Sequence, residues 1–264
     1  MAYKYLEVKD ACASIAQITL KREEKRNALC LDLMEELTAA FEALAKQEAM
    51  RIVILQGTGS VFCAGLDLQE SADHALVEKM AQHVARLLKT IYTSPLVTIA
   101  AVQGDAIAGG AGIVAACDYA LLTKGARMGF PETKRGLVAA QVATLLCRQM
   151  RMRDVRELLL LGELVDSERA VAMGLANRQV DKDKLLPEAM RVAGLILQGA
   201  PTATKDTKRL LDNLDPANFF DDLEMALSFH QSARLSEEAK EGVAAFLEKR
   251  APIWSHKAHA AIER

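Results

Sequence analysis

Apolar and polar positions alternate through Ile15-Ala16-Gln17-Ile18-Thr19-Leu20, the period of two that a half-buried strand requires, and the charged run from Lys21 to Asn27 reads as the loop that follows. The period then lengthens. Met34, Leu37, Phe41 and Leu44 recur at three and four residues and share one face of a helix running from about Asp32 to Gln47. Arg51-Ile52-Val53-Ile54-Leu55 has the apolar continuity of a buried strand, and Gly57 and Gly59 stop it. The polar, histidine-containing stretch from Gln69 to Arg86 shows no decisive period and is expected to be a mobile flank.

Val97 to Val102 is the clearest strand in the chain; Gly104 breaks it, and the small residues from Ala108 to Ala116 suit a tightly packed helix. Tyr119 to Leu122 supplies a further strand. From Gln141 onward the pattern turns helical, with Asp166 or Ser167 as an N-cap, Gly174 as a stop and Pro187 in the first turn of another helix. The residues beyond 200 read as helical throughout. Units of strand, strand and helix recur without matching residues. They predict an α/β fold and leave two arrangements open, a doubly wound sheet or a spiral of ββα turns.

At 264 residues, 51% hydrophobic and 26% charged, the chain is long enough to bury a large core and ordinary for a globular protein. A net charge of -2 offers no general attraction to nucleic acid. No stretch of about 18 uncharged apolar residues occurs, and the first residues lack the apolar core of a secretion signal, so a cytoplasmic protein without a membrane span is expected. Cys12, Cys30, Cys63, Cys117 and Cys147 are odd in number, widely spaced and free of any CxxC pair. They suggest reduced core thiols in place of a disulfide frame or a zinc site. His256 and His259 have no third ligand near them in the sequence and read as a solvated tail; no metal is expected.

Two glycine-containing loops follow strands, Phe62-Cys63-Ala64-Gly65-Leu66-Asp67-Leu68 and Gln103-Gly104-Asp105-Ala106-Ile107-Ala108-Gly109-Gly110-Ala111-Gly112. Glycine belongs where backbone must come close to something. The second loop runs straight into a helix, whose first N–H groups are unpaired and sit at the positive end of the helix dipole. Such donors suit a developing oxyanion, where each is worth about 3–4 kcal/mol of barrier. Gly110-Ala111-Gly112-Ile113-Val114-Ala115 also fits the weaker form of the dinucleotide fingerprint, GxGxxA. Its late place in the chain and the lack of a strand ending in an acid about twenty residues on argue against that reading.

The segments FCAGLDL, VQGDAIAGGAG leading to AACDYALL, and ARMGFPETKRGL resemble, in order and spacing, the three central motifs of the enoyl-CoA hydratase/isomerase (crotonase) superfamily. KREEKRNALCLDLMEEL resembles the opening segment of that family and AFLEKRAPIW its C-terminal signature, so the resemblance spans nearly the whole chain. It implies a crotonase-like spiral of ββα units with a helical C-terminal segment: an acyl-CoA-binding catalytic core over residues 1–200 and an oligomerisation segment over 201–264. A homotrimer or a pair of trimers is implied, with Phe219, Phe220, Leu223, Leu227 and Phe246 as candidates for the interface or the intrachain core.

By the same resemblance the two oxyanion donors are the backbone N–H groups of Leu66 and Gly109. The backbone from Arg26 to Ala28 and the loop from Ala64 through Asp67 to Leu68 would receive the CoA moiety, and Lys249 would meet its phosphates, within the chain or across a subunit boundary. A lysine common two places after the acid of the first loop is Gln69 here, which puts one phosphate contact in doubt.

Glu132 matches a catalytic glutamate of the family and is expected to serve as general base and acid, its pKa raised by an apolar acyl pocket. Hydratases of the family carry a second glutamate where this chain has Gly112. One carboxylate suffices to move a proton from one carbon to another, so isomerisation of a 3-enoyl to a 2-enoyl thioester is favoured, with hydration as the alternative. Decarboxylation and a non-catalytic acyl-CoA-binding or scaffold role are the further readings. Dienoyl isomerases have an aspartate where Ala140 stands. Asp67 and Asp118 read as structural hydrogen-bonding residues, and Asp105 is a possible substitute acid. No cofactor beyond the CoA thioester substrate is implied.

Overall fold

After the first two strands, the rest come in pairs, and the two members of a pair join different sheets. In the computed structural model, which describes residues 3–71, 75–214 and 236–254, the chain begins with β1 (Leu6–Cys12), β2 (Ile15–Leu20) and α1 (Leu31–Leu44). It continues through β3 (Ile52–Gly57), β4 (Val61–Cys63), α2 (Leu68–Ser71) and α3 (Val77–Tyr92), then β5 (Val97–Val102), β6 (Asp105–Ile107) and α4 (Gly109–Ala116). Next come β7 (Tyr119–Thr123), β8 (Arg127–Gly129), a 3-10 turn over Pro131–Arg135, α5 (Ala140–Gln149) and α6 (Met152–Leu161). After these lie β9 (Leu164–Asp166), α7 (Ser167–Met173), β10 (Arg178–Val180), α8 (Leu185–Leu197), α9 (Pro201–Asn213) and α10 (Glu237–Leu247). The larger sheet has the order β1-β2-β3-β5-β7-β10 and the smaller one β4-β6-β8-β9. This alternation of sheets decides for the ββα spiral over the doubly wound sheet.

From β2 to β10 the larger sheet is parallel, with Ile15 opposite Ile52, Ile52 opposite Val97 and Ile99 opposite Tyr119. A parallel sheet covered on both faces needs strands apolar on both sides, and β3 meets this: Val53 and Leu55 enter one core with α1, α3 and α4, while Ile52 and Ile54 enter a second with α8. β1 was hidden from the pattern because it is an antiparallel edge strand whose middle residues, Lys9 and Asp10, are exposed.

The stretch from Gln69 to Arg86 departs from its reading as a mobile flank. Its second half belongs to α3, which buries Met80, Val84, Leu87, Leu88 and Ile91 against α1 and α4. Their helical spacing completes itself only beyond Arg86. Asp166 caps α7 by accepting the Arg169 N–H at 2.8 Å, and Gly174 ends it at φ +80°. Cys30, Cys63 and Cys117 are core thiols, and burial pushes the last two up to about 12; Cys147 is exposed on α5. Phe219, Phe220, Leu223, Leu227, His256, His259 and the side chain of Phe246 lie outside the described residues. No helix among the described residues is long and apolar enough to cross a membrane.

α9 is fastened to the core by Lys208, which is almost fully buried and donates to Asp118 Oδ2 at 2.7 Å and to the Leu96 carbonyl at 3.0 Å. The same carboxylate oxygen accepts the Thr98 N–H and hydroxyl at 2.7 and 2.9 Å, so Asp118 is the structural residue the sequence suggested. Asp118→Ala leaves the Lys208 ammonium buried without its partner and is expected to cost about 3 kcal/mol, read as a lower urea midpoint with unchanged m.

Candidate active site

The small sheet places three loops side by side. β4, β6 and β8 run parallel, and Leu66 lies three residues past β4, Gly109 two past β6 and Glu132 three past β8. Because neighbouring strands are about 4.8 Å apart, these residues are delivered to one edge of one sheet.

The first loop is braced by the opening segment. Ala64 N–H donates to the Arg26 carbonyl at 3.1 Å, Leu29 N–H to Gly65 at 2.8 Å and Asp67 N–H to Leu29 at 2.9 Å. In this parallel bridge Leu66 is the residue facing Leu29, and such a residue turns its own N–H away from its partner. The Leu66 N–H is thereby directed away from the Leu29 segment. Gly65 holds φ +89°, and a Cβ there would stand 2.9 Å from the Ile107 carbonyl and 3.5 Å from the Gly109 nitrogen. The two glycine loops are in contact.

Arg22, which sequence reasoning passed over within a charged run, secures this brace. Its Nη1 donates to Asp67 Oδ2 at 2.7 Å and to the Ala28 carbonyl at 2.9 Å. Burial alone would raise the Asp67 pKa, but Arg22 and the Gln69 and Glu70 N–H groups outweigh it and hold the carboxyl below its usual range. Arg26 and Asn27 both take φ +52°, and the Asn27 side chain donates to the Thr58 and Val61 carbonyls at 2.9 Å each. Ala28 is buried and Arg26 exposed. Lys25 reaches Gln69 Oε1 at 3.4 Å, so a lysine stands beside the position where the resemblance has one. Leu68 starts α2, and its side chain is outside the description.

In the second loop Ala108 donates its N–H to the Gly129 carbonyl at 2.8 Å and accepts the Gly112 N–H at 2.9 Å. Its backbone sits at φ +51°, ψ −121°, a conformation that costs an L-residue about 1–3 kcal/mol. α4 then starts at Gly109, whose N–H has no carbonyl a turn behind it. Gly110 presses on the end of β4, where an added Cβ would lie 2.3 Å from the Cys63 carbonyl oxygen. The GxGxxA glycines are thus used for packing inside a helix and do not form a phosphate-binding turn.

Glu132 is carried by the 3-10 turn, anchored by fully buried Phe130 and opened by Pro131. Gly136 closes the turn at φ +69°. The side chain is partly buried, and Oε2 is fully enclosed without a hydrogen-bond partner. Burial pushes its pKa above the usual carboxylate range, against a smaller opposing pull from its own N–H and from Arg135. A buried, unpartnered acceptor is costly to a fold and is what a base requires before a substrate proton arrives.

Asp67, Asp105 and Asp118, the aspartates weighed from the sequence, are engaged. Asp105, the possible substitute acid, accepts the Arg127 N–H at 2.9 Å and pairs with its guanidinium at 2.5 Å. At Gly112 an added Cβ would stand 2.9 Å from Val142 Cγ2 and 3.6 Å from Leu88 Cδ2, so α3 and α5 close that seat with apolar groups. Lys249 is exposed at φ +54° beyond α10. That segment is tied by Trp254 Nε1 to the Gln198 carbonyl at 2.8 Å, and the adjoining Gly199 carbonyl accepts from Arg51 at 2.8 Å, at the end of the larger sheet where β3 begins. Arg26 and Ala64 lie toward the other end, where β3 finishes. Among the described residues no group of three or more His, Cys, Asp or Glu is placed to hold a metal.

Two main-chain donors on adjoining loops, with an unpartnered carboxylate on the next, make a site for holding an oxyanion and moving a proton beside it. The chain belongs to the enoyl-CoA hydratase/isomerase family, whose profile matches residues 10–257. It is 37% identical over 243 residues, 90% of this chain and 96% of the relative, to a Thermus thermophilus protein whose name places it provisionally among the enoyl-CoA hydratases. It is 33% identical over 247 residues to the mevalonyl-coenzyme A hydratase of Aspergillus fumigatus, covering 91% of each chain. The crystal structure of an enoyl-CoA hydratase from Bacillus anthracis superposes with a TM-score of 0.90 at 28% identity, covering 96% of this chain and 99% of that one. The architecture is therefore the crotonase fold.

Gly110→Ala must push α4 away from β4; about 1–3 kcal/mol of stability should be lost, with a larger fractional loss of turnover than Gly125→Ala, where an alanine at φ +87° is strained but meets nothing within 4 Å. For Glu132 the folded-state pKa is raised, so ionising it at neutral pH works against the fold. Glu132→Gln is expected to unfold at higher denaturant at pH 7 and to lose about 10²–10⁴-fold in turnover. In the wild type, activity falls as pH drops through that raised pKa; an acid limb at or below the ordinary glutamate value would refute the assignment.

Proposed function

We propose that the chain is an acyl-CoA enzyme that stabilises a thioester enolate and shifts the double bond of a 3-enoyl-CoA to the 2-position. The observation that carries this reading is the contrast between Glu132, buried and unpartnered, and Gly112, whose surroundings are filled by Val142 and Leu88. One carboxylate is available for proton transfer, and the place for a second is apolar.

In the proposed reaction the thioester oxygen lies between the Leu66 and Gly109 N–H groups. They stabilise the negative charge that develops there when the proton on C2 is removed, at about 3–4 kcal/mol for each donor. Glu132 takes that proton, and the electron pair delocalises over the thioester oxygen and the former C3–C4 double bond as a dienolate. Glu132 then returns the proton at C4, leaving the double bond between C2 and C3 and the base ready for another turn. No net oxidation occurs and no water is consumed. The CoA portion would lie along Arg26 to Ala28 and Ala64 to Leu68, near Asp67, with Lys25 for a phosphate. Lys249 would serve the site of a neighbouring copy, consistent with its position in its own chain and with a homotrimer or a pair of trimers.

Hydration of a 2-enoyl-CoA is the second reading, favoured by the names of the relatives. It would need Glu132 and main-chain groups to hold the water that a second carboxylate would otherwise position. Incubation with short and medium 3-enoyl-CoA and 2-enoyl-CoA in heavy water, followed by mass spectrometry, separates the readings. Conjugated, deuterium-labelled product without added water is expected from the 3-enoyl substrates. Water added to the 2-enoyl substrates would replace isomerase by hydratase, and unchanged, unlabelled substrates would overturn both in favour of another acyl-CoA reaction or a binding role.

A further inference from the structure

We infer that Ala108 is a positioning residue, holding the Gly109 N–H on the oxyanion by confining its own backbone to a conformation that alanine does not prefer; this rests on the enolate reading above. The peptide between Ala108 and Gly109 is planar and trans, so its C=O and N–H point in opposite directions. The Ala108 carbonyl is fixed along α4 by the Gly112 N–H at 2.9 Å. The Gly109 N–H must then point out of the start of the helix. The torsion that sets this direction is ψ of Ala108, which sits at −121° with φ at +51°.

Three contacts hold that torsion. The Ala108 N–H is bound to the Gly129 carbonyl of β8 at 2.8 Å, its carbonyl is bound within α4, and its methyl lies against Gly65, where an added Cβ would come within 3.0 Å of it. The methyl is therefore a spacer between the residue before one donor, Leu66, and the residue carrying the other, Gly109. Glycine at 108 accepts the same torsions without strain, so the fold tolerates it. What it removes is the spacer and the restriction on ψ, leaving the donor peptide free to rock.

The test uses a 3-ketoacyl-CoA, whose enolate absorbs in the near ultraviolet, as a probe that needs no turnover. Wild-type protein should ionise the bound probe at lower pH than free solution does. Ala108→Gly should lose a large part of that shift and lower kcat by roughly tenfold, below the 10²–10³-fold cost of deleting an oxyanion donor outright. Its KM should stay close to that of the wild type and its thermal midpoint should not fall, because relief of the strain at φ +51° opposes the entropy that glycine loses on folding; a merely structural role would lower the midpoint and leave the probe shift alone. Ala108→Ser, which keeps a Cβ, should recover most of the shift. If wild type does not ionise the probe, the enolate reading fails and takes this inference with it. If wild type does and Ala108→Gly matches it, this inference alone is overturned.

Discussion

Everything at the site depends on the parallel pairing of β4, β6 and β8. Each is three residues long, too short to persist alone, and each is the second strand of its ββα unit, so the larger sheet must form for the smaller one to exist. The pairing turns a separation of 66 residues along the chain between Leu66 and Glu132 into two strand spacings, roughly 10 Å, across a sheet. The close approaches of Gly65 to α4 and of Gly110 to β4 are the steric expression of the same constraint. A side chain at either position would separate loops whose chemistry requires contact.

The carboxylates near the three loops and the core differ in how they are held. Asp67, Asp105 and Asp118 each have a cationic partner within hydrogen-bond distance, which commits their oxygens to the scaffold. Glu132 differs: its Oε2 is enclosed without a hydrogen-bond partner among the described residues, and burial outweighs the pull of its own N–H and of Arg135. Ion pairing holds the scaffold, and Glu132 stands outside it.

The sequence made the long elements legible because their burial is either periodic, as in β2 and α1, or continuous, as in β3, β5, β7 and α4, and all six are near where the run of apolar or small residues puts them. β4, β6, β8 and β9 are below the length at which any period can be read, and they set the geometry of the site. α3 was obscured by its polar first half, since only Leu87, Leu88 and Ile91 complete its buried face. At the site, the glycine loops suggested an anion site at the start of α4, and the resemblance of FCAGLDL, VQGDAIAGGAG and ARMGFPETKRGL to family motifs is what singled out Leu66, Gly109 and Glu132. Arg22 was not legible, because a buried arginine looks in sequence like any other member of a charged run. Nor was the closure of the Gly112 seat, which joins Val142 and Leu88 from two different helices.

Main-chain donors separate what the site does from what it accepts. The N–H of residue 66 is presented by the bridge to Leu29, whatever side chain follows it, so evolution is free to refit the walls around an acyl group while the polarising groups stay in place. Such a scaffold can acquire a new substrate by changing side chains alone. Its fixed points are then the positions where a glycine lets two backbones touch.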